Sequence, residues 1–272
     1  MRIGFLGAGK MAEAIFAGLI RNQIVPAADI RIREVVPQRV RDLRRRYHVG
    51  VAGTATELVT GCDVVFLAVK PQDLDVLLQE VAPALTTRQV VISIAAGKTL
   101  TQLQKLAGPR VRLVRVMPNL AMMVGEGMSA FCLGRHARPA DRKLAARLLG
   151  CCGRAMELPE RHFHAVTALS GSGPAFFAYA LAGLADAAVA EGLPADAARL
   201  LAEQTMLGAA RYLLETGMTP QALMQAVASP KGTTAAGLAV LEASPMRQIL
   251  GQTIQAAAQR SAELGRVAPK PA

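Results

Sequence analysis

At 272 residues the chain is long for one domain and comfortable for two, each able to bury its own core. It is 52% hydrophobic but only 4% aromatic, with no Trp, so Ala, Val and Leu must supply the mass of close-packed helices and buried strands. A net charge of +11 attracts anionic cofactors and substrates. The densest basic run, "RVRDLRRRYH" (Arg39–His48), has Tyr47 as its one aromatic, which argues against a base-stacking nucleic-acid surface and for the solvated face of a helix.

In chain order, "RIGFL" (residues 2–6) reads as a short buried strand running into "GAGKMAEAIFAGLIRN", where Met11, Ile15, Leu19 and Ile20 share one helical side. Between them Gly7, Gly9 and Ala12 form G-x-G-x-x-A. Gly7 permits a tight turn, Gly9 lets a pyrophosphate approach the backbone, and Ala12 lets the helix lie close on the sheet. The N–H groups of the helix start then face the phosphates, so Gly7, Ala8, Gly9, Lys10 and Met11 are the expected dinucleotide loop. The second strand, "DIRIREV", ends at Glu34, where an acid bonds both ribose hydroxyls and repels a 2′-phosphate. Arg39 and its basic neighbours pull the other way, which leaves both NADPH and NADH open.

"GCDVVFLAV" (Gly61–Val69) is a continuous apolar run, as in a parallel sheet covered on both faces. It ends in "AVKPQ", and the next strand, "QVVISIAAG", ends in "SIAAG". Ligands of open α/β sheets sit beyond the carboxyl ends of strands, which brings Ala68, Val69, Lys70, Pro71 and Ala95 to the crevice. Lys70 reads either as a proton donor or as a charge near the loop and cofactor. "LDVLLQEVAPAL" and "LTQLQKLAG" are helices; "RVRLVRVMPN" is a strand ending at Asn119, whose amide suits a carboxamide or a sugar, or simply sets a turn. "GMSAFCLG" and "RAMELP" add strands around a helix from Ala140 to Leu149. Alternation of strand and helix predicts right-handed crossovers and one doubly wound α/β sheet of Rossmann type over residues 1–160.

From about Arg161 strand signals vanish, and residues 161–272 read as all-α. Pro174 opens a helix ending near Gly192, Pro194 opens another to Gly217, "TPQALMQAVAS" is a third, and more follow Thr233 up to the polar tail "GRVAPKPA". These helices are Ala-rich on several sides, so a monomer would expose apolar surface, and a homodimer through this domain is expected. The most apolar window (Gly171–Leu193) carries Asp186 and Glu191, which favours a buried helix of a soluble protein over a membrane span. "MRIGFLGAG" starts a strand at once, leaving no room for a signal sequence. Cys62, Cys132, Cys151 and Cys152 have no metal-ligand spacing, so reduced thiols, no metal and a cytoplasmic location are expected.

Dehydrogenases that oxidise alcohols need a Lys or His to take the hydroxyl proton. "LSGSGPAFFAYALAGLADAAVAEG" offers neither, and His162 and His164 sit in a linker. A cyclic imine needs no such base, because as an iminium it is already electrophilic at carbon. The loop "SPKGTT" fits that substrate. Its helix start offers N–H donors to a carboxylate, Ser229 can help hold the carboxylate, and Thr234 can bond the imine nitrogen; the plain alternative is a loop with two capping threonines.

Taken together, "IGFLGAGKMAEAI", "VFLAVKPQ", "SIAAG", "RVMPN", "LSGSGPAF", "GLPADAARLLAEQTMLGAARYLLETG" and "VASPKGTTAAGLAVLE" resemble the Δ1-pyrroline-5-carboxylate reductase family, in its order and over nearly the whole chain. The resemblance implies an N-terminal Rossmann domain and a C-terminal helical dimerisation domain, with dimers that often assemble into decamers. It implies that Gly7 to Met11 and Ala68 to Pro71 bind NAD(P)H, and that Ser229, Gly232, Thr233 and Thr234 bind the imino acid, Thr234 near the imine nitrogen. The chain departs from the family's M-P-N-T-P at Leu120–Ala121, from S-P-G-G-T-T at Lys231, from a usual tyrosine at Phe176, and from an asparagine around Ala55. A lysine at 231 would be strained if φ there is positive, and it would add a cation near a carboxylate.

Overall fold

A computed structural model describes residues 1–266; the end of the polar tail lies outside the described residues. The chain forms two compact units, residues 1–172 with the stretch from Ala257, and residues 173–256.

The first unit contains β1 (Ile3–Leu6), α1 (Lys10–Arg21), β2 (Ile30–Arg33), α2 (Pro37–Tyr47), β3 (Gly50–Val51), α3 (Ala55–Thr60), β4 (Val64–Leu67) and α4 (Leu74–Val81). It continues with β5 (Val90–Ser93), α5 (Leu100–Ala107), β6 (Arg112–Met117), β7 (Gly127–Leu133), α6 (Pro139–Gly150), β8 (Gly153–Glu157) and α7 (Phe163–Val166). The strands form one eight-stranded sheet in the order β3-β2-β1-β4-β5-β6-β7-β8, so the chain starts at the centre, winds outward to β3 and returns across β1. This is the doubly wound Rossmann order, with its switch point at β1 and β4.

Strands β1, β4 and β5 are buried end to end because helices cover both faces. On one face Phe5, Phe16, Phe66, Ile15, Leu19 and Leu148 pack together; on the other, Leu58, Leu67, Leu74, Leu78 and Leu103 do. Local signals agree with the layers. Thr99 and Gln102 form a reciprocal capping box at α5, and Pro139 opens α6.

Three features differ from the reading in chain order. The short β3 and α3 fill the stretch between α2 and β4; a two-residue edge strand and a six-residue helix are too short to display a period. Strand β7 runs antiparallel to β6, pairing Val116 with Phe131. A single 3₁₀ turn, Leu120–Val124, joins them, too short for the crossover that parallel strands need. Third, the compact unit continues past residue 160. Glu160 accepts from Arg115 Nη1 (2.8 Å) and the Leu100 N–H (2.7 Å), and Phe163 is buried beneath the Arg115 guanidinium. His164 Nδ1 meets Ser261 Oγ at 3.0 Å, and Gln102 Nε2 donates to the Gly265 carbonyl.

The second unit holds α8 (Gly173–Ala190), α9 (Ala195–Thr216), α10 (Pro220–Val227), α11 (Thr233–Ala243) and the first part of α12 (Met246–Arg266). Helices α8 and α9 pack on each other through the turn at Gly192, whose φ of +97° suits glycine. Burial is sparse: Gly173 in α8 and Ala198 in α9, with none in α10 or α11. The expectation that the apolar window would be a buried helix is therefore corrected for the single chain, where Phe177, Tyr179 and Leu184 are exposed. Alanine-rich helices carry too few large side chains to enclose a core, so their apolar faces stay open to another surface. The helical stretch Glu160–Ala190 is also long and apolar enough to cross a membrane, by length and composition.

Candidate active site

The glycine loop begins where β1 ends. Gly7 has φ +87°, and its N–H donates to the Arg33 carbonyl at the end of β2 (2.9 Å). A Cβ at Gly7 would lie 2.8–2.9 Å from the backbone of Ala68 and Val69, so only glycine lets the loops after β1 and β4 touch. Gly9 is the extended residue before α1; no side chain caps the helix there, and a Cβ at Gly9 would meet nothing within 4 Å. The open side of the loop thus presents bare backbone and unpaired helix-start N–H groups, a cradle that fits a pyrophosphate.

Glu34 closes one side of this cradle. Its Oε2 accepts from the Ala8 N–H (2.9 Å), and its Oε1 accepts from Val35 (2.8 Å) and Val36 (3.1 Å). Arg39 turns beneath the loop, donating from Nε to the Ala8 carbonyl (2.9 Å) and from Nη2 to Glu13 Oε2 (2.5 Å). Glu13 also accepts from Tyr47 (2.8 Å) and pairs with Arg46 (3.3 Å). Burial pushes its carboxyl up, but hydrogen bonds from Arg39 and Tyr47 and the charges of Arg39 and Arg46 outweigh this and hold it below the ordinary carboxylate range. The Glu13–Arg39 anchor escaped the sequence reading; a carboxylate amid the apolar residues of "KMAEAIF" is the one signal that could have found it.

Beyond the next strands, the Ala68 N–H donates to the Leu6 carbonyl (2.8 Å), and Val69, Lys70 and Pro71 follow, with Lys70 exposed. Ala95 is buried, so only its backbone is available. Asn119 Oδ1 accepts from the Met128 N–H (3.1 Å) and Nδ2 reaches Ser170 Oγ at 3.5 Å. Its carboxamide therefore ties β6 to β7, the turn-setting alternative, with one N–H to spare. Leu120 beside it is more than half exposed.

In the second unit the loop before α11 is a tight turn. The Gly232 N–H donates to the Ser229 carbonyl (3.0 Å), and a Cβ at Gly232 would collide with Ser229 Oγ. Lys231 takes φ +59°, the left-handed conformation expected there. Gly232 is the cap residue of α11, with no side-chain cap, and Thr233 and Thr234 occupy the first turn. Neither threonine caps the helix as the plain reading had it; among the described residues neither hydroxyl has a partner. The structure brings Gly7 against Ala68 and Val69 and Ala8 against Glu34, while Ser229–Thr234 belong to the other unit.

Cys62 and Cys132 are held as thiols: burial pushes the first up to about 11 and the second up to about 12. Among the described residues no group of His, Cys, Asp and Glu forms a metal cluster.

Residues 160–264 match the family model for pyrroline-5-carboxylate reductase dimerisation, and residues 2–97 match that described as NADP oxidoreductase, coenzyme F420-dependent. The chain is 40% identical to a pyrroline-5-carboxylate reductase of Methanosarcina acetivorans, over 97% of this chain and 98% of the relative. It superposes on the structure of a pyrroline-5-carboxylate reductase from Coxiella burnetii with a TM-score of 0.94 at 33% identity, covering 98% of this chain and 99% of that one. The Plasmodium falciparum pyrroline carboxylate reductase, solved with NADP bound, gives a TM-score of 0.86 at 28% identity, over 97% and 98% of the two chains. A glycine cradle on a doubly wound sheet and a dimerisation-type helical unit thus occur in one chain that aligns end to end with these enzymes, and the chain belongs to the pyrroline-5-carboxylate reductase family.

Proposed function

We propose that this chain reduces Δ1-pyrroline-5-carboxylate to L-proline with NAD(P)H, in the cytoplasm, as a homodimer or a decamer built from such dimers. Residues 1–160 hold the cofactor; residues 161–272, described to 266, hold the substrate and form the subunit interface. No nucleic acid or membrane takes part: Glu13 engages Arg39 and Arg46 of the basic helix, and the apolar stretch Glu160–Ala190 faces a second subunit.

Bound NAD(P)H supplies a hydride to the imine carbon. On the turn that Gly7 and Ala8 shape, Gly9, Lys10 and Met11 hold the pyrophosphate through backbone N–H groups, and Glu34 takes the adenine ribose. Ala68, Val69, Lys70 and Pro71 wall the crevice, with Ala95 and Asn119 further along the same sheet edge. The start of α11, set by the Gly232 turn, binds the substrate carboxylate with the Thr233 N–H and the Ser229 hydroxyl, aided by the partial positive charge there. The Thr234 hydroxyl donates to the ring nitrogen as it becomes an amine. No histidine is needed as a base, in keeping with the engagement of His164 by Ser261.

The observation that carries this reading is the uncapped start of α11 with two unengaged threonine hydroxyls, in a chain of this family. The test follows nicotinamide absorbance with pyrroline-5-carboxylate and then its six-membered homologue, each with NADPH and NADH. Turnover faster with the five-membered imine is expected; no turnover with either imine, despite cofactor binding, overturns the reading. Thr234→Ala should cut turnover at least about tenfold, about 1.4 kcal/mol of transition-state stabilisation, and unchanged kinetics would remove Thr234 from the chemistry.

A further inference from the structure

The end of β2 discriminates between the two forms of the cofactor. A dinucleotide seated on a glycine turn between β1 and α1 brings its adenine ribose to this corner, and NADPH differs from NADH only by the 2′-phosphate there. A phosphate needs cations or N–H donors. The backbone donors of the turn are already used, since the Val35 and Val36 N–H groups bond Glu34 Oε1 and Pro37 has no N–H.

The nearby arginines are engaged to different degrees. Arg39 bonds Glu13 and the Ala8 carbonyl, and Arg33 Nη1 donates to the Glu34 carbonyl (2.9 Å). The Gln38 amide is occupied by Asp42 and Arg41. Arg41, Arg44 and Arg45 line a separate cleft with Ala28, His48 and Gly50. Val35 and Val36 are presented to solvent at the corner, beside Pro37 and Gln38, and are apolar and suited to the face of an adenine.

What remains is the Glu34 carboxylate, pinned by three N–H donors at the lip of the glycine turn. Oε2 accepts only from Ala8 and so keeps a lone pair for a ribose hydroxyl, whereas a 2′-phosphate would face a fixed like charge. We infer that this chain prefers NADH to NADPH and that Glu34 is the selecting residue. The inference rests on Gly7–Met11 being the cofactor loop, as proposed above.

Equilibrium titration of the full chain with each dinucleotide, by calorimetry, tests it without turnover. NADH should bind at least about tenfold more tightly than NADPH, about 1.4 kcal/mol. Glu34→Gln, which removes the charge at nearly constant size, should bring the two affinities within about threefold, and Glu34→Ser should do the same if the glutamine variant melts early. Equal or tighter NADPH binding by the native chain, with both dinucleotides lost in Gly9→Val, overturns the preference and leaves the loop standing. An unchanged ratio in both Glu34 variants likewise removes Glu34. If the native chain binds neither dinucleotide, the cofactor loop itself falls and the preference with it.

Discussion

The two compact units place their apolar residues in opposite ways. In the first, Phe66 stacks on Phe5 with ring centroids 4.7 Å apart, Phe16 meets Phe5 edge-on at 5.5 Å, and all three are fully buried within one chain. In the second, Tyr179 is 85% exposed, Val240 71% and Leu184 66%. A parallel sheet needs both faces covered before it is stable, so the first unit completes its own core. Helices of Ala and Leu can fold locally and leave one face for a second subunit, and this unit matches the dimerisation model. The contrast separates two meanings of burial, one internal to the chain and one completed by assembly.

Leu184→Asp should break that contrast most severely. A charge on the open face of α8 would have to be desolvated in the interface, a cost of several kcal/mol. Light scattering at micromolar concentration should then fall to the 28.6 kDa of one chain, with sheet structure retained by circular dichroism; an unchanged mass would take α8 out of the interface. Phe66→Ala acts on the other side. It should cost about 3–5 kcal/mol by denaturant titration, and the loss should not depend on protein concentration, as an interface mutation's would.

A third change probes the polar anchor of the first unit. Glu13→Gln removes the charge that Arg39, Arg46 and Tyr47 share, worth about 2 kcal/mol at neutral pH. Because the carboxyl is held below its ordinary value in the fold, its contribution is present above the unfolded-state value of about 4.5 and is lost as pH falls through the folded value. Native and variant stabilities should therefore converge in acid. A constant gap from pH 7 downward would assign the loss to packing.

Much of the first unit was legible because its signals are local and repeated. The β1–Gly7–α1 turn, the apolar run of β4 and the strand ends at Ala68 and Ala95 follow from period and from glycine. The direction of β7 was not legible, since a strand's pattern is the same read either way and only the brevity of Leu120–Val124 decides it. The engagement of Glu34 with Ala8 joins residues far apart in sequence and depends on a rotamer that the sequence does not encode. The same holds for the bond from Met128 to Asn119, which shows the turn-setting role of that carboxamide. In the second unit the helices were plain from Pro174, Pro194 and Pro220, but their exposure was not, because a helix apolar on several sides looks alike whether its own chain or another covers it.

The smallest effect is expected at Lys231, where conformation and charge oppose one another. A side chain at φ +59° carries a left-handed strain of about 1–2 kcal/mol, which glycine would relieve while losing about 0.5–1 kcal/mol to its greater freedom when unfolded. Lys231→Gly should therefore raise stability by about 0.5 kcal/mol, read as a small upward shift of the denaturation midpoint. The exposed ammonium it removes is worth at most about 1 kcal/mol to a bound carboxylate, which corresponds to a rise in KM for the imino acid of up to about fivefold, with kcat little changed. Stability up and KM up together would mean that the strained lysine is kept for its charge. Stability up with KM unchanged would make the turn alone the feature that matters, and leave the carboxylate to the backbone of α11.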